Sequence, residues 1–127
     1  MAGIVVRDAH FPGRAAVDSY GNGGFRFAGM SHRGSILCLP SGIYGWTPPE
    51  VGLDLASLSR VFEEAADIEV LLVGTGREMQ MLPPDLAAAL REARIVADAM
   101  STGAAVRTFS VLLAEDRAVA AALVAVD

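Results

Sequence analysis

The spacing of the hydrophobic positions predicts one buried strand with a helix on each side of it. Residues 68–73 are apolar apart from Glu69, and the absence of polar alternation is typical of a strand covered on both faces of a parallel sheet. Before this strand, apolar positions recur at helical spacing after Asp54, a favourable N-cap. After it, residues 85–94 predict a second helix, which Pro84 and Asp85 would begin.

The N-terminal half predicts short strands instead. Large apolar residues alternate with others over 25–30, and an apolar run returns over 35–39, which together predict a β-hairpin. Residues 4–6 and 43–46 are further extended candidates, and the glycine-rich stretch 21–24 predicts a turn.

The C-terminal third continues the alternation of strands and helices. Residues 95–97 predict a short strand, and apolar positions between 106 and 113 predict a third helix. The segment 117–126 is open between helix and strand, because its alanines favour helix and its valines favour a buried strand. The order helix–strand–helix–strand–helix predicts an α/β fold with right-handed crossovers.

Composition limits the class of protein without identifying it. The 127 residues are 53% hydrophobic and 20% charged, which predicts one compact domain over residues 1–127. The net charge is −5, and the cations are all arginines that are scattered along the chain. We therefore expect no nucleic-acid partner.

The expected location is the reducing cytoplasm. The N-terminus lacks a signal-peptide pattern, and the longest charge-free apolar run is too short to span a bilayer, so no membrane insertion is expected. Cys38 is the only cysteine and cannot form an internal disulfide.

Gly74-Thr75-Gly76, at the end of the central strand, is the first candidate site. Backbone amides in a glycine turn can hold an anion. However, Met79 occupies the position of the third glycine in a dinucleotide fingerprint, and the chain has no lysine for a Walker loop. The alternative is a turn that needs small residues because a strand and a helix cross closely there.

Ser101-Thr102-Gly103 follows the next predicted strand. If the two strands are parallel neighbours, both turns lie at one sheet edge, where Arg77 and Arg107 would add positive charge to an anion or nucleotide crevice. The alternative is that Ser101 or Thr102 caps a helix and the arginines are simply solvated.

No catalytic, metal or cofactor motif is complete. His10 and His32 lie in turn-like segments without ligand-spaced partners, so no metal or cofactor is predicted. Cys38 lies among apolar neighbours, which predicts a buried, inert thiol rather than a nucleophile. No catalytic residue can be assigned.

Two groups of apolar residues are candidates for a protein-binding surface. Tyr44 and Trp46 form an aromatic cluster followed by prolines, and Met79 and Met81 follow the Gly-Thr-Gly turn. The alternative for the aromatic pair is that it covers one end of the core. A chain this apolar is also a candidate for pairing with a second copy.

A set of residues spread along almost the whole chain resembles a family. The set comprises Tyr20-Gly21, Gly24-Phe25-Arg26-Phe27, Gly34-Ser35, Trp46, Gly74-Thr75-Gly76 before Pro83, Met100, Ala104-Ala105, Arg107-Thr108-Phe109 and Leu113-Ala114-Glu115 before Arg117. In order and spacing it resembles a small domain family of largely unknown function from bacteria, archaea and mitochondria, whose eukaryotic members include a mitochondrial assembly factor for respiratory complex I.

The resemblance implies a three-layer α/β fold with a central mixed sheet, and it favours a strand for 117–126. It brings no established catalytic residues. Asp116 stands where the family commonly has glycine, and Ser110 where it commonly has asparagine.

Two functions follow from these observations. The first is a non-enzymatic interaction or assembly factor with a protein partner, which the absence of a paired acid–base constellation favours. The second is a small-anion or nucleotide-binding protein, with or without enzymatic activity, that uses the two glycine turns.

Overall fold

The fold is built on a central six-stranded mixed sheet. The computed structural model describes residues 9–50 and 52–127, so the strand predicted at 4–6 lies outside the described residues. The order across the sheet is β1-β6-β5-β9-β7-β8, and a second, three-stranded antiparallel sheet has the order β2-β3-β4. The strands are β1 Ala9–Pro12, β2 Val17–Gly21, β3 Gly24–Phe27, β4 Met30–Arg33, β5 Ser35–Leu39, β6 Gly42–Trp46, β7 Val70–Gly74, β8 Val96–Met100 and β9 Val119–Leu123.

Three α-helices flank the sheet in the described part of the chain. They are α1 Ser59–Glu63, α2 Pro84–Glu92 and α3 Thr102–Ala114, and short 3-10 turns at Ala56–Leu58 and Ala65–Asp67 flank α1. Across residues 9–50 and 52–127, every helix is too short or too polar to cross a membrane.

The first helix is shorter than its apolar pattern predicts. Instead of one helix from Asp54 onward, the chain forms a 3-10 turn, α1 and a second 3-10 turn. Asp54 still caps this region, because its Oδ1 accepts the backbone N–H of Ser57 at 2.8 Å.

The central strand is buried between two parallel neighbours. β7 pairs in parallel with both β8 and β9, and residues 71–74 are buried, as the uninterrupted apolar run predicts. The C-terminal segment is the strand that the resemblance favours: all of Val119–Leu123 is buried, and small alanines there allow both layers to pack closely.

Two hydrophobic clusters lie on the two faces of the sheet. One contains Val106 and Phe109 of α3 with Phe25 and Phe27 of the small sheet. The other contains Leu58 and Val61 around α1, with the buried leucines of α2. This arrangement confirms the three-layer α/β fold with a central mixed sheet.

The hairpin predicted between 25–30 and 35–39 is wrong in its pairing. Residues of β3 pair with β4 through a turn at Ala28-Gly29, whereas β5 pairs with β6 and β9 in the other sheet. The turn escapes the sequence pattern because Ala28 adopts a left-handed φ of 49°, which is rare for alanine. Strand β2 was also not predicted, since it lies beside the glycine-rich turn.

The end of α3 explains one departure from the family pattern. Asp116 follows the helix with a φ of 59°, in the left-handed region that glycine enters without strain. Aspartate tolerates this conformation better than most other residues, so the turn into β9 is retained.

Candidate functional site

The two glycine-containing turns meet at one edge of the sheet, as the parallel arrangement predicts. Gly74 of β7 pairs with Met100 of β8, which places Gly74-Thr75-Gly76 beside Ser101-Thr102-Gly103. The backbone N–H of Thr102 donates to the carbonyl of Gly76 at 2.8 Å. The turns are therefore bonded directly to each other.

The side chain of Thr102 joins three elements at this edge. It is fully buried, and its Oγ1 donates to the carbonyl of Val124 at 2.7 Å and accepts the N–H of Gly76 at 3.0 Å. The hydroxyl thus links the end of β7, the start of α3 and the residue after β9. Because the hydroxyl already donates one hydrogen bond and accepts another within the protein, its role is structural.

Gly74 is required by the close crossing of β7 and α3. A Cβ at this position would lie 2.9 Å from Cα of Thr102 and 3.1 Å from Cβ of Ala105. Such contacts are too short without backbone movement, so this position needs glycine for packing.

Thr75 fixes the base of the segment that follows. Its Oγ1 donates to the carbonyl of Glu78 at 2.9 Å and accepts the N–H of Gln80 at 2.9 Å. We call residues 75–83 the methionine loop. The loop holds Met79 and Met81 outward, with 55% and 85% of their surfaces exposed.

A cleft of about 140 Å³ adjoins the methionine loop. One wall is formed by the loop, including Met81 and Leu82, and the other by Pro48, Pro49 and Leu53. The cleft was not predicted, because its walls come from segments about thirty residues apart. Met81 is itself part of the wall of this cleft.

Arg77 and Arg107 line a separate pocket at the start of α3. The pocket also contains Tyr20, Ser101, Gly103 and Asp127, so a carboxylate shares it with the two guanidinium groups. Ser101 caps the helix by accepting the N–H of Ala104 at 3.3 Å. Tyr20 lies against Gly103, and nothing in the sequence indicated this long-range contact.

Tyr44 and Trp46 belong to the core side of β6. Tyr44 is only 4% exposed, and the guanidinium of Arg60 lies 4.3 Å from the centre of its ring. Trp46 is half-buried, and its Nε1 donates to the carbonyl of Ser57 at 2.8 Å. Tyr44 therefore contributes almost no exposed area to an interaction surface.

The remaining candidates from the sequence are Cys38 and the two histidines. Burial raises the pKa of Cys38 to about 12, so this thiol stays protonated near neutral pH. His32 is half-buried in β4, and the side chain of His10 lies outside the described residues. Among the residues that the structure describes, no three His, Cys, Asp or Glu side chains form a group able to hold a metal ion.

Comparison with known proteins identifies the family to which this chain belongs. A family model described as a protein of unknown function (DUF498/DUF598) matches residues 17–124. The chain belongs to this family. The matched region runs from β2 to the residue after β9 and therefore includes both turns, the methionine loop and the cleft.

Three relatives place the chain within the family. An uncharacterized protein of Rhodobacter capsulatus is 38% identical and covers 92% of this chain and 90% of its own length. The mouse protein named NADH dehydrogenase [ubiquinone] 1 alpha subcomplex assembly factor 3 is 30% identical over 95% of this chain. A crystal structure described as an outer membrane protein from Bartonella henselae has a TM-score of 0.90 and 64% identity, covering 93% of this chain and 100% of that one.

The chain is shorter than the vertebrate relatives. It spans 59 to 66% of the length of the assembly factors that it matches, from mouse, frog, rat, zebrafish, cattle and human. The similarity therefore covers the domain described above and not the whole of those proteins.

The role of Thr102 yields a stability prediction. Thr102→Val keeps the shape of the side chain but leaves the Gly76 N–H and the Val124 carbonyl without partners in a buried site. We expect the free energy of unfolding to fall by about 2 to 4 kcal/mol. Urea denaturation monitored by circular dichroism measures the change.

Two control variants separate the hydroxyl from other effects. Thr102→Ser keeps the hydroxyl and should lose only about 1 kcal/mol for the missing methyl group. Thr108→Val makes the same change at a half-buried position of the same helix and should cost less than about 1 kcal/mol. Equal stability of Thr102→Val and the wild type would show that the hydroxyl does not hold this edge together.

Proposed function

We propose that the chain is a non-enzymatic protein-interaction factor that takes part in the assembly of a respiratory membrane complex, working in the cytoplasm. The observation that carries the proposal is the exposure of Met79 and Met81 on the methionine loop. Exposed methionines on a loop with a fixed base make an apolar surface that can adapt to a partner.

The shape of the neighbouring surface supports a protein partner. The cleft beside the loop has apolar side chains in both walls, including Leu53 and Leu82, and Met81 also lines it. A flexible methionine beside a concave apolar surface can close over an apolar side chain of another protein. Trp46 is half-buried and packs against the core cluster that also contains Leu58 and Val61.

The polar groups at the carboxyl ends of β7 and β8 form internal hydrogen bonds, which favours a non-enzymatic role. The hydroxyl groups of Thr75 and Thr102 each take part in internal hydrogen bonds. The hydrogen-bond partners of both hydroxyls are backbone groups, and the thiol of Cys38 is buried. The side chains that remain exposed at this edge include those of Met79, Met81 and Arg77.

The vertebrate relatives support the choice of assembly as the process. Those proteins are named as assembly factors of NADH dehydrogenase, and they are 29 to 32% identical to this chain. We extend that role to this chain as part of the proposal, for the domain that they share with it.

The proposal predicts the effect of removing the exposed methionines. In a native host from which the gene has been deleted, the double variant Met79→Ser and Met81→Ser should fail to restore the amount of assembled complex I. Loss of two apolar anchors should weaken partner binding by about 1 to 3 kcal/mol, or about five- to 150-fold. Native gel electrophoresis with an in-gel NADH dehydrogenase assay measures the assembled complex.

A matched control tests whether the location of the methionines matters. Val111 is 57% exposed on α3, so Val111→Ser removes a similar apolar surface elsewhere and should restore assembly fully. Both variants should melt at the wild-type temperature, because the changed side chains are exposed. Full restoration by the methionine variant, or an unchanged level of complex I in the deletion strain, would overturn the proposal.

Binding of a small anion is the second candidate function. It is favoured by the presence of Arg77 and Arg107 in one pocket with the start of α3, and opposed by the carboxylate of Asp127 in the same pocket. Backbone N–H groups next to this pocket, those of Gly76 and Ala104, are already bonded internally.

This second candidate makes its own prediction. Inorganic phosphate should raise the melting temperature of the wild type progressively and leave that of the Arg77→Gln, Arg107→Gln double variant unchanged, because a ligand that binds only the folded state stabilises it. Differential scanning fluorimetry at constant ionic strength measures the shift. Identical curves for the two proteins would exclude the site.

A further inference from the structure

The two edges of the central sheet differ in how well they are protected. At one edge, β1 carries a register irregularity between Ala9 and Phe11 and ends at Pro12, and both features hinder the addition of a further strand. At the other edge, β8 pairs with β7 over five consecutive residues in regular register. Within the described residues, no strand lies beyond β8.

The backbone of β8 has groups that point to the open side. Val96 donates its N–H to Glu69, and the carbonyl of Met100 accepts from Thr75, both at 2.9 Å, so these residues direct their backbone groups toward β7. Because alternate residues of a strand direct their backbone groups to opposite sides, Ala97 and Ala99 present theirs to the open edge.

The two faces of β8 differ in chemistry. Val96 and Asp98 are paired with Val70 and Leu72, and therefore lie on the α3 side of the sheet, where both are exposed. Ala97 packs against the core cluster on the α2 side. The open edge thus has an exposed valine and an exposed aspartate on one face and alanine on the other.

A groove runs along the α2 side of this edge. It is lined by Leu82 and Ala87 together with Arg91, Arg94 and the start of β8, and we call it the β8 groove. Arg91 and Arg94 are exposed, and neither makes an ion pair with another residue in the part of the chain that the structure describes. The groove therefore has an apolar floor and an unneutralised positive rim.

We propose that the β8 edge binds an extended acidic segment of a partner protein as an added strand. Backbone groups of Ala97 and Ala99 would bond to the segment, which is the recognition mode called β-augmentation. Carboxylates on one face of the segment would meet Arg91 and Arg94 in the β8 groove, and apolar residues on its other face would meet Val96. This surface adjoins the methionine loop at Leu82 but does not include Met79 or Met81, and the inference does not depend on the proposed function.

A second copy of this chain does not satisfy the same surface. The β8 strand of another copy would offer only Ala97 and Ala99 to the groove, so the arginines would gain no carboxylate. In an antiparallel pair centred on Asp98, two like charges would also face each other. Charge complementarity therefore favours a different protein with acidic residues at alternate positions.

The probe is a nine-residue acetylated and amidated peptide in which valine alternates with glutamate. Added to the 15N-labelled full chain, it should slow amide hydrogen exchange at Ala97 and Ala99 by at least about tenfold, because both N–H groups become bonded. The amides of Val96 and Gly76, which are already bonded, should change little. Nuclear magnetic resonance measures exchange residue by residue.

Two control peptides test the pattern and the sign of the charge. One has the same composition with its glutamates in a single block, and the other replaces glutamate with lysine. Neither should slow exchange at Ala97 and Ala99, because the first cannot place its carboxylates on one face and the second meets the arginines with like charge.

Two variants test the two halves of the surface. Ala99→Pro removes one open-edge N–H without touching the bonds to β7, and it should abolish the effect while the spectrum stays folded. Arg91→Glu changes an exposed residue of α2 and should shift the preference toward the lysine peptide. The charge test remains available if the proline variant does not fold.

Three results would overturn the inference. The first is unchanged exchange at Ala97 and Ala99 at saturating peptide, and the second is an equal effect of the lysine peptide on the wild type. The third is concentration-dependent protection of these amides without peptide, which would show that a second copy covers the edge.

Discussion

The hydrogen bonds of the buried Thr102 hydroxyl hold together the two glycine-containing turns at the carboxyl ends of β7 and β8. This hydroxyl joins Gly76, after the central strand, to Val124, after the last strand, and it does so from the first residue of α3. Threonine suits this position because its hydroxyl can donate one hydrogen bond and accept another at the same time. The close approach of α3 that makes the bonds possible requires Gly74, where any Cβ would collide with the helix.

This internal use of polar groups determines where binding can occur. At the carboxyl edge of many α/β sheets, glycine turns and helix N-termini face a ligand. Here the corresponding groups hold the protein together, and the chain instead exposes Met79 and Met81 on a loop whose base Thr75 fixes. The surfaces that remain open include the methionine loop, the pocket of Arg77 and Arg107, and the β8 edge.

Much of the fold could be predicted from the sequence because its signals are local. The uninterrupted apolar run of β7 indicated a buried parallel strand, and the alternative that Ser101 or Thr102 caps a helix indicated the start of α3. The pairing of β3 could not be predicted, since it depends on Ala28 in a conformation that alanine rarely adopts. Tyr44 is likewise buried by residues from later in the chain, which include Arg60 over its ring and the core cluster on the α2 side of the sheet.

The position of the two turns could be predicted from the sequence, but the hydrogen bonds and packing of their residues could not. The parallel pairing of β7 and β8 brings the two turns together. The sequence does not indicate that the Thr102 hydroxyl would accept the N–H of Gly76, or that Tyr20 would lie against Gly103. The cleft beside Met81 combines segments that are remote along the chain. Such features arise from tertiary packing, which local periodicity does not encode.

Native-state hydrogen exchange tests the central claim most directly. If the Thr102 hydroxyl and the paired turns hold this edge together, the amides of Gly76 and Thr102 should exchange only through global unfolding, with the same free energy as the core strands. The amides of Met79 and Met81, on the exposed loop, should exchange near the rate of an unfolded peptide. Rapid exchange at Gly76 and Thr102, equal to that of the loop, would contradict the account.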